Sequence, residues 1–388
     1  MFVYWGRRGA LPQFALEVAR TARANPLIEA TISVSRQNEI FPMYEEFGPA
    51  LFAVDTFKTN AGALFQAPRA ALLRRRLYHR LRHDRTQAVI ELMPHVWSPL
   101  VMPVVRKAGA RYCTIIHDAD AHPGDQTSWV KAILDRPLRS ADLIITLSSA
   151  VAERLADIGR VPRQRLLTMF HPDLSYAMRQ VKQPPVPGES LRLLFLGRIM
   201  AYKGLSLFLD SVDVLRDEGI TVEVGVFGEG PLGANSERLR GMGAEVVNRW
   251  LSNDEIADAF ARYHAVVLSY TEASQSGVAA AAFGAGMPVV ATPVGGLAEQ
   301  VKDGVTGVLA LRADALALAE ATKRLLLDPE FYRATCTNIA ETAGQRSMAR
   351  FVSDIVSHAL STTSADRGKG GCGRSVGIWR EVRDRRWQ

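Results

Sequence analysis

The chain has 388 residues, 47% of them hydrophobic, and a formal net charge of +7. That length suits two packed cores of roughly 150–200 residues each, and the charge is local: Arg69 to Arg85 contributes +6 and Asp366 to Gln388 +4, leaving −3 for the remainder. A surface that meets something anionic fits this distribution, whereas a nucleic-acid groove running through the fold does not. Cys113, Cys336 and Cys372 are too few and too scattered for a disulfide framework or a zinc site, so a reducing, cytoplasmic setting is expected.

Met1 to Gly6 passes directly into a strand and a glycine turn, without the basic start and long apolar core of an export signal. Predicted strands in the first half are Phe2–Tyr4, Ala30–Ser33, Ala88–Leu92, Arg111–Ile116 and Leu143–Leu147, with helices such as Leu11–Ala24 and Ser149–Asp157 between them. Segment 67–85 places Leu72, Leu73, Leu77 and Leu81 near one helical face and Arg69, Arg76, Arg80 and Arg82 largely elsewhere. Two readings stay open for it: a helix lying on an anionic membrane surface, and a solvated, partly packed helix.

Residues 182–190 hold three prolines within four positions, which excludes helix and central strand and predicts a linker. The pattern then restarts: strands Leu191–Leu196, Val222–Phe227, Ala244–Val247, Ala265–Ser269 and Val289–Ala291 alternate with helices Leu205–Glu218, Asn253–Arg262 and Val278–Ala285. After Arg312 helices dominate to about Leu360, and 361–388 lacks periodicity and reads as a disordered basic tail. The expected fold class is therefore α/β, with one doubly wound unit over 1–181, a second over 191–345, and a terminal helix over 346–360 returning to the first. The uncharged run Ala273 to Ala298 is long enough to raise a membrane span, but its five glycines and two prolines fit a loop, helix and strand better.

Two stretches carry the chemistry. Gly197 to Gly204 follows a buried strand and presents Arg198 and Lys203, a cation pair suited to a diphosphate. Glu272 opens the second; after it Ser276, Gly277 and Val278 give way to an alanine-rich helix, whose first amides attract anions. Strand-end glycines recur at Gly6 to Gly9, which an ordinary strand-to-helix turn would also use, and at Gly228 and Gly230. His117 ends the strand Arg111–Ile116, where a structural role and a site role are both open. Asp118 and Asp120, with His122 and Asp125 nearby, could hold a divalent metal.

These motifs, above all those within 190–310, resemble retaining GT-B glycosyltransferases of family 4, the glycosyl transferases group 1. The resemblance implies two Rossmann-like domains facing across a cleft, the second binding a UDP or GDP sugar and the first the acceptor, a glycan or lipid-linked glycan. It implies a hexosyltransferase-type enzyme of polysaccharide or lipopolysaccharide assembly, without metal or cofactor, working in the cytoplasm, with a place at the inner face of a membrane left open. It assigns catalytic roles to Arg198, Lys203, Glu272 and His117. Donor contacts fall to Gly9, Gly228, Gly230, Arg249, Ser276, Gly277, Val278 and Glu299, although an ordinary loop would also explain Arg249.

The family pairs two glutamates seven residues apart, and the second position here is Ala280. That departure keeps open a catalytically weak nucleotide-sugar-binding subunit, and a nucleotide-sugar epimerase as a third reading. The Asp118 to Asp120 pair marks the single-domain GT-A architecture instead, a reading that leaves Arg198, Lys203 and Glu272 without a role.

Overall fold

The computed structural model describes residues 1–57, 67–120, 136–176, 178–179 and 181–361. His122, Asp125, Cys372 and the tail beyond 361 lie outside the described residues.

Two parallel sheets form the frame. The first contains β1 (Phe2–Tyr4), β2 (Ile32–Ser35), β3 (Leu51–Val54), β4 (Ala88–Glu91), β5 (Arg111–Ile116), β6 (Leu143–Thr146) and β7 (Leu166–Thr168), in the order β3-β2-β1-β4-β5-β6-β7. The second contains β8 (Leu191–Leu196), β9 (Val222–Phe227), β10 (Glu245–Val247), β11 (Ala265–Leu268), β12 (Val289–Ala291) and β13 (Gly307–Leu309), in the order β10-β9-β8-β11-β12-β13. Both orders reverse beside their first strand, and in open α/β sheets ligands bind outside the carboxyl ends of the strands at such a switch.

The longer helices are α1 (Leu11–Ala24), α2 (Ala67–His83), α3 (Ser149–Asp157), α4 (Leu205–Asp217), α5 (Asn253–Arg262), α6 (Gly277–Gly284), α7 (Ala315–Leu326), α8 (Pro329–Glu341) and α9 (Met348–Leu360). Their starts follow from capping chemistry: the Ser276 hydroxyl accepts from the Ala279 amide at α6, and Ser252 and Glu255 form a reciprocal capping box at α5. The leucine stripe of α2 is used internally. Leu73, Leu77 and Leu81 are buried against the first sheet, and only Leu72 of the expected apolar face remains exposed. Any membrane contact of this helix therefore rests on charge rather than on a free leucine face.

Strands β3, β7 and β13 are additions to the expected set, and all three lie at sheet edges. β3 and β7 are only partly buried and are four and three residues long, too short to show a strand period in sequence. β13 opens on Gly307, which reads as a breaker in sequence. A Cβ there would lie 2.1 Å from the Val289 carbonyl oxygen, so the glycine permits close approach to β12.

Helix α9 packs on α1, β4 and β5 of the first sheet, with the Phe14 and Phe351 rings 5.7 Å apart. The proline-rich connector is pinned to the second sheet by buried Lys182, whose ammonium donates to the carbonyls of Phe260 and Ala261 at the end of α5. One apolar cluster, containing Phe14, Leu174, Ala280, Phe283 and Phe351, runs through both halves of the molecule. Segment 171–176 is fastened into it: the Leu174 amide donates to the Ala280 carbonyl at 3.1 Å, and Asp173 pairs with Arg346 at 2.9 Å.

Candidate active site between the two sheets

A cavity of about 1070 Å³ opens between the two sheets. Of the predicted site residues, Gly9, His117, Arg198, Lys203, Gly228, Arg249, Ser276, Gly277 and Val278 line it. Its walls are the loops leaving the carboxyl ends of β1, β5, β8, β9 and β11.

The cation loop is built by close backbone contacts. It turns at Gly197 with φ 104° and ends at Gly204 with φ 67°, where a Cβ would lie 2.0 Å from the Ser269 carbonyl oxygen. Gly228 has φ 143°, and a Cβ there would meet the Gly197 carbonyl at 2.0 Å, so the β8 and β9 loops touch because position 228 is glycine. Lys203 donates from Nζ to the Tyr270 hydroxyl at 2.7 Å, and the same ammonium lies 4.3 Å from the Tyr270 ring centroid. The Tyr270 hydroxyl is in turn 3.3 Å from Ser276 Oγ. One tyrosine thus ties the cation to the start of α6, a link with no signal in the sequence beyond its place at a strand end.

Of the α6 amides, that of Ser276 is already engaged. It donates to Gln300 Oε1 at 2.9 Å while Gln300 Nε2 donates back to the Ser276 carbonyl at 2.9 Å. The first-turn amides of Gly277 and Val278 remain at the cavity, where the helix end favours negative charge.

Two expectations need correction. Glu272 is exposed and lies outside the cavity lining; Ala280 is 1% exposed and packs against Leu174. The residues that face the cavity are Ala273 and Ala281. The cleft-facing register of this run therefore falls one residue later than the glutamate spacing suggests, and both of its positions are alanine. Glu299 also lies outside the cavity. Its carboxylate crosses to the first domain and accepts from the first amides of α3, Ser149 N at 2.7 Å and Ala150 N at 2.8 Å, the favoured place for an anion on a helix.

The first domain contributes His117, whose Nε2 lies 2.9 Å from the Leu92 carbonyl and whose Nδ1 lies 3.3 Å from Gln275 Nε2 of the second domain. Burial holds its pKa below the ordinary histidine value, against the opposing influence of the Leu92 carbonyl and Asp118. His171, also at the cavity, is pushed down to about 4, again chiefly by burial. Both imidazoles are accordingly neutral near pH 7. Glu39 lines the cavity and accepts from the Gly9 amide at 3.3 Å; burial raises its pKa against the pull of that amide and of Arg8. Sequence patterning does not single out Glu39 or His171, which sit in loops without a motif, or Gln275, which lies within the run from Glu272 to Val278 but receives no role from it.

Arg249 is braced by a two-pronged pair with Glu255 and donates to the Trp250 carbonyl at 3.1 Å. Asp118 borders the cavity, whereas Asp120 is paired with Arg154 at 2.7 Å and lies 3.7 Å from Arg160. Among the described residues no group of three His, Cys, Asp or Glu side chains is placed to hold a metal ion. The single-domain GT-A reading falls with the two-sheet architecture.

Two doubly wound domains with the site in the cleft between them define the GT-B architecture. Residues 190–328 match the family described as Glycosyl transferases group 1. The chain is 26% identical over 227 residues to a glycosyltransferase of Salmonella typhimurium whose name assigns it to colanic acid biosynthesis, a match covering 54% of this chain and 53% of that one. It is 29% identical over 300 residues to 2-deoxystreptamine glucosyltransferase of Streptomyces kanamyceticus, covering 70% of this chain and 76% of that one. The chain thus spans about half the length of the first relative and three quarters of the second. In fold it resembles the Anabaena protein HepE, crystallised with UDP and glucose, at a TM-score of 0.68 and 15% identity over 93% of this chain and 99% of that one. Family, relatives and architecture together support a GT-B glycosyltransferase.

Proposed function

We propose that the protein transfers a hexose from a UDP or GDP sugar to a hydroxyl of a glycan or lipid-linked glycan, with retention of anomeric configuration. The observation that carries this reading is the arrangement of charge: Arg198, Lys203 and the Gly277 and Val278 amides line the second-domain wall of the cavity, with neutral His117 on the first-domain wall. Cleavage of a nucleotide sugar leaves negative charge on the β-phosphate, and preorganised cations and amides lower the barrier by meeting that charge as it forms. The sugar would sit between this wall and His117, and the leaving phosphate oxygen would take the proton of the incoming hydroxyl on the same face.

Nucleotide release from UDP-glucose and GDP-mannose by the purified protein tests the reading. Arg198→Ala is expected to slow release by about a hundredfold or more. Absence of binding to any nucleotide or nucleotide sugar in a thermal-shift panel would refute it. The alanines at 273 and 281 favour a second reading, a binding subunit with little turnover; tight donor binding with no release on adding candidate acceptors would select it.

We also propose that α2 meets an anionic membrane surface. The side chains of Arg74, Arg75 and Lys107 have no hydrogen-bond or ion-pair partner among the described residues, and they border a groove of about 570 Å³ with Ala70, Tyr78, Leu100 and Val104. Phosphatidylglycerol vesicles are expected to bind the protein in a salt-sensitive way and phosphatidylcholine vesicles to leave it free. Reversing Arg74 and Arg75 to Glu should weaken binding on the order of a hundredfold or more.

A further inference from the structure

The contact between His117 and Gln275 fixes more than the position of two side chains. A backbone carbonyl can only accept, so the 2.9 Å contact with Leu92 places the His117 proton on Nε2. Nδ1 is then a bare acceptor, and the Gln275 group 3.3 Å away must be its amide NH₂. This orients the Gln275 carboxamide completely and turns its other end, Oε1, away from His117. Oε1 is buried and has no hydrogen-bond partner, in a side chain that lines the cavity. A buried acceptor left unpaired is costly and calls for a partner, which a bound ligand can supply where the side chain borders a binding cleft.

We propose that Gln275 is a specificity-determining residue whose Oε1 accepts a hydrogen bond from one hydroxyl of the donor sugar. The inference rests on the glycosyltransferase reading and deepens it. Gln275 immediately precedes Ser276, whose amide and carbonyl are both clamped by Gln300, so the carboxamide is carried on a fixed backbone. It lies next to the α6 amides that would hold the diphosphate, which is where the sugar of a bound donor falls. The neighbouring Ala273, Ala281 and Val278 offer no side-chain hydrogen bond. Gln275 thus supplies a polar contact on a wall where the expected glutamates do not reach the cleft. A sugar lacking the matching hydroxyl would leave Oε1 unpaired, the situation in which binding sites discriminate most strongly.

The test compares UDP with UDP-glucose, and GDP with GDP-mannose, by calorimetry on the full chain and on Gln275→Leu. Loss of Oε1 should weaken the sugar nucleotide about ten- to a hundredfold while leaving the free nucleoside diphosphate within about twofold. A series of monodeoxy sugars should show one position with a similar penalty in the native protein, and that penalty should vanish in Gln275→Leu. Equal weakening of nucleotide and sugar nucleotide in Gln275→Leu would overturn the inference, as would a deoxy penalty that persists in that variant. If the native protein binds neither free nucleotides nor sugar nucleotides, the glycosyltransferase reading itself falls and this inference with it.

Discussion

Glu91 shows how a single carboxyl can set the pH response of the first domain. It is fully buried on β4 and receives hydrogen bonds from Ser98, Tyr112 and Thr114. Burial raises its pKa to about 7, against the lowering effect of those donors. A carboxyl whose folded pKa lies above its unfolded value binds its proton more tightly in the native state. Its contribution is therefore complete below the unfolded value of 4.5 and is lost as pH rises through about 7. Melting temperature is expected to fall between pH 5 and pH 8, by an amount corresponding to a few kcal/mol at most. Glu91→Gln, which cannot ionise, should flatten that profile in a thermal scan across pH. At the same scale, Gly204→Ala should unfold or severely weaken the second domain. Its left-handed φ and the Ser269 carbonyl 2.0 Å from the new Cβ together demand backbone movement, and about 2 kcal/mol or more of destabilisation is expected by denaturant titration.

At the scale of elements, the strand-then-glycine sequences were the legible part. β8 and its loop, and β11 with the run leading to α6, are short apolar segments ended by glycines and capping residues, and such patterns state their own geometry. Arg198 and Lys203 could be placed at the cleft on that basis. The facing of individual residues inside the loop before α6 could not, because a turn has no period from which to read direction. That is why Glu272 and Ala280 stood for cleft positions that Ala273 and Ala281 occupy. Gln275 and His171 escaped for another reason: their significance arises from partners 158 residues away in one case and from burial in the interdomain cluster in the other. Edge strands β3, β7 and β13 escaped because they are only three or four residues long and are half-exposed or open on a glycine, too short for a period to be read.

The whole molecule is held closed by contacts that cross the cleft. Glu299 accepts from the first amides of α3, and the neighbouring Ser148 hydroxyl donates to the Ser274 carbonyl at 2.7 Å. Glu299→Gln removes the anion from the helix end and should cost up to about 2 kcal/mol of closure. Small-angle scattering should then show a larger radius of gyration without nucleotide than in the native protein, and a return towards the native value when a nucleotide sugar bridges the cleft. On the other side, Asp173 and Arg346 form a pair whose side chains are only 9% and 13% exposed. Removing one partner leaves a buried charge, so Asp173→Ala should destabilise the protein by about 3–5 kcal/mol, while Arg312→Ala, at an exposed pair with Asp314, should be nearly silent.

The return of α9 to the first sheet means that the backbone passes between the domains twice, once through 182–190 and once between α8 and α9. Two crossings act like the two pins of a door: they allow rotation about the line joining them and resist sliding or twisting apart. Opening of the cleft is therefore expected to be a swing about a fixed axis, returning the cation loop and His117 to the same register on closure. A protease cut placed within 182–190 removes one pin only, and the two fragments should still co-elute on gel filtration, because α9 keeps its seat against α1 and β5. Truncation before Met348 combined with the same cut should weaken the association, leaving it to the contacts across the cleft such as Glu299 with α3 and Asp173 with Arg346.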